Sequence, residues 1–344
     1  MNIAFLYNVK LIGPSLTDEQ AQIYAEFDSP ATIEGIKKAI EANRHKVHMV
    51  EANEEAYIKL KELKEKKKVD LVFNIAEGFY GEAREAHIPA MLEMLQIPFT
   101  ASGPINLAIT LDKARTKEIL SFFGIPNAKF QVFQNQKDKL RADLEFPLII
   151  KPVREGSSKG IMDNCVVKND SELRKKVNEV VEKYRQPAIA EEFLPGKEFT
   201  VGIIENEKGP VVLPITEVKF DDLPKGMNKI DSYEAKWFYD DPEKNMDPLV
   251  CPAKIPKELE ERIKKVALST FRFLDCKDMA RLDIRLDKKG IPNVIDINSL
   301  PGLIPDPKEN SRFPRAARAA GIDYNKMIGM VIDSAKRRYN LKIQ

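Results

Sequence analysis

Cysteine and histidine are scarce here: three of each in 344 residues, with a single tryptophan. Cys165, Cys251 and Cys276 lie far apart and show no metal-ligand spacing. An odd, sparse set of this kind predicts buried free thiols in a reducing cytoplasm, not a disulfide framework. His45 and His48 fall near one predicted strand and read as surface or packing residues, so a zinc site is not expected. No run of 18 apolar residues occurs, and no membrane span is predicted. The opening Met1–Tyr7 has no charged leader and reads as a first strand. Neither sign of charge dominates: 55 basic and 53 acidic residues leave a net +2, which gives no general attraction to nucleic acid or anionic lipid. The sequence also lacks a Walker A loop and an early Gly-x-Gly-x-x-Gly, which argues against a P-loop enzyme and an ordinary dinucleotide fold.

What is present is a rhythm. Strands at Ile3–Tyr7, Lys46–Val50 and Leu71–Ile75 and a short one opening at Phe99 alternate with helices. The first helix starts at Ser29-Pro30, an N-cap followed by proline at the first helical position, and carries Ile33, Ile36 and Ile40 on one face. Helices over Glu54–Lys68 and Glu85–Leu95 follow, and the pattern predicts a parallel, doubly wound sheet. A helix over Asp112–Phe123 ends at Gly124. Beyond it the chain turns strand-rich: Phe130–Phe133, Leu148–Pro152, Ile161–Val167, Ala188–Phe193 and Glu198–Ile204, with one helix over Ser171–Tyr184. Residues 205–255 read as irregular, Pro256–Leu274 as a helix, Met279–Leu286 and Pro292–Asn298 as a hairpin, and Phe313–Arg337 as helical. At 344 residues, two or three compact units are expected.

Four segments carry candidate chemistry. In Lys151-Pro152-Val153-Arg154-Glu155-Gly156-Ser157-Ser158-Lys159-Gly160 a strand delivers a lysine and then a loop of small residues. Backbone N–H groups of such a loop can wrap phosphate oxygens, and the lysine adds a fixed charge; the alternative is an ordinary hairpin loop. In Arg281-Leu282-Asp283 and Asp296-Ile297-Asn298, residues two apart share a strand face. Two carboxylates and an amide oxygen on one face suit Mg²⁺ holding phosphates; the alternative is a solvated face with salt bridges. Glu191, Glu192, Leu194 and Glu198 surround a strand end and turn, where acids reach an adenine amine or ribose hydroxyls or are simply exposed. Lys236, in Tyr233-Glu234-Ala235-Lys236-Trp237, reaches a phosphate or belongs to a surface loop.

Taken together and in this order, the segments resemble the ATP-grasp superfamily, and within it the D-alanine–D-alanine ligases; the likeness is strongest from Asp112 to Pro301 and weak before Leu71. The resemblance implies a mixed α/β and α+β ATP-grasp fold. Its units are a Rossmann-like, parallel doubly wound domain (1–103), a central α+β lid domain with the phosphate loop (104–189) and a C-terminal α+β domain with the Mg²⁺ site (190–344). It also implies ATP and two Mg²⁺ ions (or Mn²⁺) as cofactors, small amino acid or peptide substrates, no nucleic-acid or membrane partner, and a homodimer through the N-terminal unit.

The resemblance also assigns roles. Lys113 and Lys151 hold the α- and β-phosphates, and the loop Glu155, Gly156, Ser157, Ser158 and Gly160 closes over them. Glu191, Glu192 and Leu194 lie around adenine, and Glu198 contacts ribose. Lys236 approaches the γ-phosphate. Asp283, Asp296 and Asn298 ligate the metal, and Arg281, with Ser157 and Lys236, serves the transferred phosphoryl group. The activity implied is carboxylate phosphorylation by ATP followed by attack of an amine, on D-alanine or on other amino acids or peptides. A non-catalytic nucleotide-binding regulator on the same fold has no need of these charges, yet Lys113, Lys151, Lys236, Asp283, Asp296 and Asn298 are all retained.

Departures from the family pattern gather on the substrate side. The family's glycine-rich turn with its glutamate is here Asn8–Ser15, with Glu26 or Asp28 as candidate replacements. Its His-Gly is Glu77-Gly78, and its Gly-Glu-Asp-Gly is Gly81-Glu82-Ala83-Arg84. A tyrosine is replaced by Trp237, Asp296 stands in place of a glutamate, and Leu303–Asn310 is longer than usual. Glu77, Arg84, Gly302 and Ser311 are therefore the expected substrate contacts. Arg84 either clamps a carboxylate or pairs with Glu82 or Glu85.

Overall fold

The computed structural model describes residues 1–11, 24, 26–232 and 247–341. At its N-terminal end, β1 (Asn2–Tyr7) lies between β2 (Lys46–Glu51) and β3 (Leu71–Asn74), all parallel. Ile3–Leu6 and Leu71–Phe73 are buried throughout, the pattern of strands covered on both faces. Helix α1 (Pro30–Ala42) starts as its sequence dictates: the Ser29 hydroxyl accepts the Thr32 N–H, and Ile33, Ile36 and Ile40 are buried. Helices α2 (Ala56–Glu65) and α3 (Arg84–Met94) follow their strands. The strand expected at Phe99 is only a single bridge to Val72. Pro98 lacks an N–H, and the chain turns away through Ala101 at φ 68°. It then enters α4 (Pro104–Leu111), a helix whose nearly unbroken apolar sequence hides its period.

Helix α5 (Lys113–Phe122) leads into an antiparallel sheet of order β4-β7-β5-β6: β4 (Phe130–Phe133), β5 (Leu148–Pro152), β6 (Val166–Val167) and β7 (Ala188–Glu192). Helix α6 (Asp170–Tyr184) covers it with Leu173, Val177 and Val180. The strand expected over Ile161–Val167 is confined to its last two residues, because Gly160 at φ 76° and a 3-10 turn at Asp163–Cys165 take up the rest.

The third sheet is antiparallel, with order β11-β10-β8-β12-β13 and β9 paired to β8. It contains β8 (Glu198–Asn206), β9 (Gly209–Val212), β10 (Thr216–Val218), β11 (Leu249–Val250), β12 (Met279–Leu286) and β13 (Pro292–Asn298). Three of these strands come from the stretch expected to be irregular; each is four residues or fewer. Helix α7 (Lys257–Phe273) packs Ile263, Ala267 and Phe271 on this sheet. The terminal helical stretch divides into α8 (Arg312–Ala319) and α9 (Tyr324–Arg338) around Gly321 at φ 74°. Met327, Ile328, Val331 and Ile332 of α9 share one core with Ile3, Phe5 and Phe73, so the end of the chain seals its first sheet. Gly329 allows that approach, since a Cβ there would stand 2.4 Å from Asn43 Oδ1. Among the described residues no helix is long and apolar enough to cross a membrane. Cys165 and Cys276 are buried, Cys251 is half-buried, and all three are free thiols.

Candidate active site

The three sheets converge on a cavity of about 430 Å³. Its lining includes Lys113, Lys151, Glu155–Ser158, Glu191, Glu192, Leu194, Glu198, Arg281, Asp283, Asp296, Asn298, Glu77 and Gly302. Residues separated by up to 225 positions along the chain thus face one space. Gly160, Arg84 and Ser311 do not line it. Lys236 and Trp237 fall outside the described residues.

Two lysines form one wall. Lys113 opens α5, where Asp112 caps the helix by accepting the Arg115 N–H. The Lys113 ammonium donates to the Glu155 carbonyl at 2.6 Å and lies 3.6 Å from Asp296. Lys151 projects from β5 to 3.3 Å from Glu191, which Lys117 approaches to 3.2 Å from the other side. All three side chains are buried. Burial alone would raise Glu191, but the two ammonium groups hold its carboxyl below the usual range.

The small-residue loop passes over the cavity with Ser157 and Ser158 in the left-handed region at φ 50° and 58°. It is tied from both sides. Toward the N-terminal sheet, the Gly156 N–H donates to Glu26 at 2.8 Å, and Lys159 sits 3.4 Å from the same carboxylate. Toward the third sheet, the Ser158 hydroxyl donates to the Asp231 carbonyl, and both Asn228 donors reach Asp163. Burial would push Glu26 up, but Arg84 and Lys159, with the Gly156 N–H, hold it below its ordinary value.

The β12–β13 hairpin forms a second wall, which Lys113 meets at Asp296. Its register sets Arg281 against Asn298 and Asp283 against Asp296, and shifts after Asp283. Arg281 lies 3.1 Å from Asp283, and Arg312 of α8 lies 4.0 Å from it. These two guanidinium groups overcome burial and keep the Asp283 carboxyl low. Asp283 Oδ1 is buried with no hydrogen-bond partner among the described residues. A buried carboxylate oxygen with a cation at 4.0 Å but no hydrogen bond is costly unless a ligand takes it up. Among the described residues no three His, Cys, Asp or Glu side chains are grouped so that they could hold a metal ion by themselves. The donor set is therefore two carboxylates and an amide, which fits Mg²⁺ with its other positions left to phosphates and water.

Phe193, Ile149, Leu194 and Ile295 contribute apolar surface to the cavity. Glu198 also lines it, paired to Arg285 at 2.8 Å. Burial pushes the Glu198 carboxyl up to about 7 against the pull of Arg285.

Glu26, Asp28 and Glu77 also line the cavity, and Glu85 faces a small adjoining space. Burial pushes Asp28 up to about 7 and Glu85 up to about 8; burial with Glu85 and Glu26 nearby drives Glu77 well above the carboxylate range. Arg84 pairs with neither Glu82 nor Glu85. It grips Glu26 at 2.9 Å and donates to the Arg154 carbonyl, while Arg154 takes Glu82. Ser311 turns its hydroxyl inward, donating to the Gly302 carbonyl and accepting from the Ile304 N–H. Sequence reasoning missed Lys117, Arg285 and Arg312. Lys117 follows Lys113 by one helical turn and Arg285 follows Asp283 by two strand positions, so their spacing held the signal.

The chain matches the family described as D-ala D-ala ligase C-terminus over residues 119–333. It is 36% identical over 269 residues to uncharacterized protein y4sG of Sinorhizobium fredii, covering 78% of this chain and 75% of that protein. It is 32% identical over 285 residues to the D-alanine–D-alanine ligase of Pelotomaculum thermopropionicum, covering 80% and 83%. Its fold is that of the D-alanine–D-alanine ligase of Bacillus anthracis in a crystal structure complexed with ATP, with a TM-score of 0.70, 24% identity and 98% of each chain covered. On these matches the chain belongs to the D-alanine–D-alanine ligase family.

Proposed function

We propose that this chain is an ATP-dependent carboxylate–amine ligase, D-alanine–D-alanine ligase-like, which joins two small amino acids or peptides through an acyl phosphate. The supporting observation is the meeting, in one cavity, of Lys113, Lys151, the Gly156–Ser158 loop and the Arg281–Asp283–Asp296–Asn298 hairpin. It is built from the three units 1–103, 104–189 and 190–344.

In this reading Lys113 and Lys151 bind the α- and β-phosphates, and Glu155–Gly160 covers them. The apolar surface of Phe193, Ile149 and Ile295, with Glu191, Glu192 and Leu194, takes adenine, and Glu198 accepts from a ribose hydroxyl. Asp283, Asp296 and Asn298 would hold Mg²⁺, which when bound would screen the charge of the triphosphate. Arg281, with Lys236 and Ser157, neutralises charge on the transferred phosphoryl group. A carboxylate oxygen of the first substrate attacks the γ-phosphorus, and the bond to ADP breaks. The amine of the second substrate then attacks the acyl carbon, and phosphate leaves. The loop ties to Glu26 and Asp231 keep water from the acyl phosphate. Substrate choice lies with Glu77, Asp28, Gly302 and the Arg84–Glu26 pair, where this chain differs from the family pattern. An ATP-consumption screen over D- and L-amino acids and dipeptides, with mass detection of products, tests the proposal. Amino-acid-dependent phosphate release with a new amide product supports it; ATP binding without turnover on any pair refutes it.

A further inference from the structure

Every second residue of β12 from Arg281 faces the cavity, which gives the row Arg281, Asp283, Arg285. The nucleotide reading uses the first two and leaves the third without a task. Arg285 stands directly opposite Glu198 in the β12–β8 register, so their contact follows from strand pairing. Its Nη1 donates to Glu198 Oε2 at 2.8 Å, and its Nη2 donates to the Lys229 carbonyl. The guanidinium also lies over the rings of Phe193 and Phe220, at 5.0 and 5.6 Å from their centroids. Both Arg285 and Glu198 are buried from solvent, yet both line the cavity. A planar fork held by a carboxylate, a carbonyl and two rings cannot turn, and it fixes the carboxylate it grips. Among the described residues nothing donates to the remaining oxygen, Glu198 Oε1.

We propose that Arg285 is a positioning residue for the nucleotide sugar: it orients Glu198 so that Oε1 accepts a ribose hydroxyl, and it thereby makes the site select ribonucleotides. This rests on the nucleotide placement proposed above. Leaving this buried acceptor without its hydroxyl donor corresponds to about a 10- to 100-fold preference.

The test is calorimetric binding of ATP, 2′-deoxy-ATP and 3′-deoxy-ATP, each with Mg²⁺, to the wild type, R285M, E198Q and the double variant. The wild type binds ATP at least about tenfold more tightly than one of the deoxy analogues. R285M and E198Q each bring that ratio near unity, and the double variant lowers it no further than either alone. Where R285M does not fold, R285K carries the test, since it keeps the charge but loses the fork; its ratio falls at least about threefold. A wild type indifferent to the sugar, or variants that weaken ATP but retain the ratio, overturn the proposal. Binding needs no turnover, so inactivity as a ligase leaves this test standing, whereas absence of ATP binding overturns both readings.

Discussion

Lys151→Met and Lys117→Met form a matched pair that separates stability from ligand binding. Both lysines are buried and both hold Glu191, at 3.3 and 3.2 Å. Only Lys151 lines the large cavity. Either substitution leaves Glu191 with one cation in place of two. Breaking a buried pair outright costs about 3–5 kcal/mol; with one partner retained, each variant is expected to lose about 1–3 kcal/mol, the cost of an acceptor left short of a donor. The effect on nucleotide differs. Lys151→Met also removes a charge-assisted contact to phosphate of about 1.5–3 kcal/mol, so ATP affinity falls about 10- to 100-fold. Lys117→Met leaves ATP affinity within about threefold once the fraction folded is allowed for. Thermal melts and calorimetric ATP titrations of both variants provide the readout. Equal loss of ATP affinity in the two, or a folded Lys151→Met with undiminished affinity, would refute the assignment of Lys151 to the phosphates.

Arg281→Ala should lower kcat about 10²- to 10³-fold while ATP binding survives, because its charge is needed as the phosphoryl group moves; a kcat within tenfold of wild type removes that role. Glu26 and Glu85 should act on stability with opposite sign. Glu26, held low by its cations, stabilises the fold above the ordinary glutamate value of about 4.3, and this is lost as pH falls through its lowered folded value. Glu85, raised to about 8, carries a penalty that is absent below about pH 4.3, grows as pH rises and levels off above its folded value. Melts of Glu26→Gln and Glu85→Gln against pH check this: the first loses stability relative to wild type most above pH 5, and the second gains it most above pH 8. Flat profiles would mean that these acids are solvated, and opposite trends would contradict the assigned electrostatics. Glu77→Gln should change the ranking of amino acid substrates more than the KM for ATP, measured by phosphate release over a substrate panel; an unchanged ranking would place the first-substrate pocket elsewhere.

The parts of the fold legible in the sequence were those with local causes. Ser29-Pro30 announced α1, the continuous apolar runs gave β1 and β3, and the turn at Lys288–Gly290 linked β12 to β13. The residues that meet in the cavity were legible for the same reason. Lys151 and its loop, and Arg281 with Asp283, each lie on a single element, and strand alternation places their side chains. Contacts across the chain were not legible. Glu26 meets Gly156 130 residues away and Arg84 58 away. No local pattern could have turned Arg84 from its neighbours Glu82 and Glu85 toward Glu26. Strands β9–β11 escaped notice because two to four residues carry no readable period, and α4 because an apolar helix shows no stripe.

The most direct measurement of the central claim follows a single oxygen atom. The chain is incubated with ATP, Mg²⁺ and an accepted amino acid labelled with ¹⁸O in both carboxylate oxygens, and the released phosphate is examined by mass spectrometry. Attack of that carboxylate on the γ-phosphorus predicts phosphate carrying one ¹⁸O atom in step with amide product. Unlabelled phosphate formed alongside the amide would contradict the acyl-phosphate route.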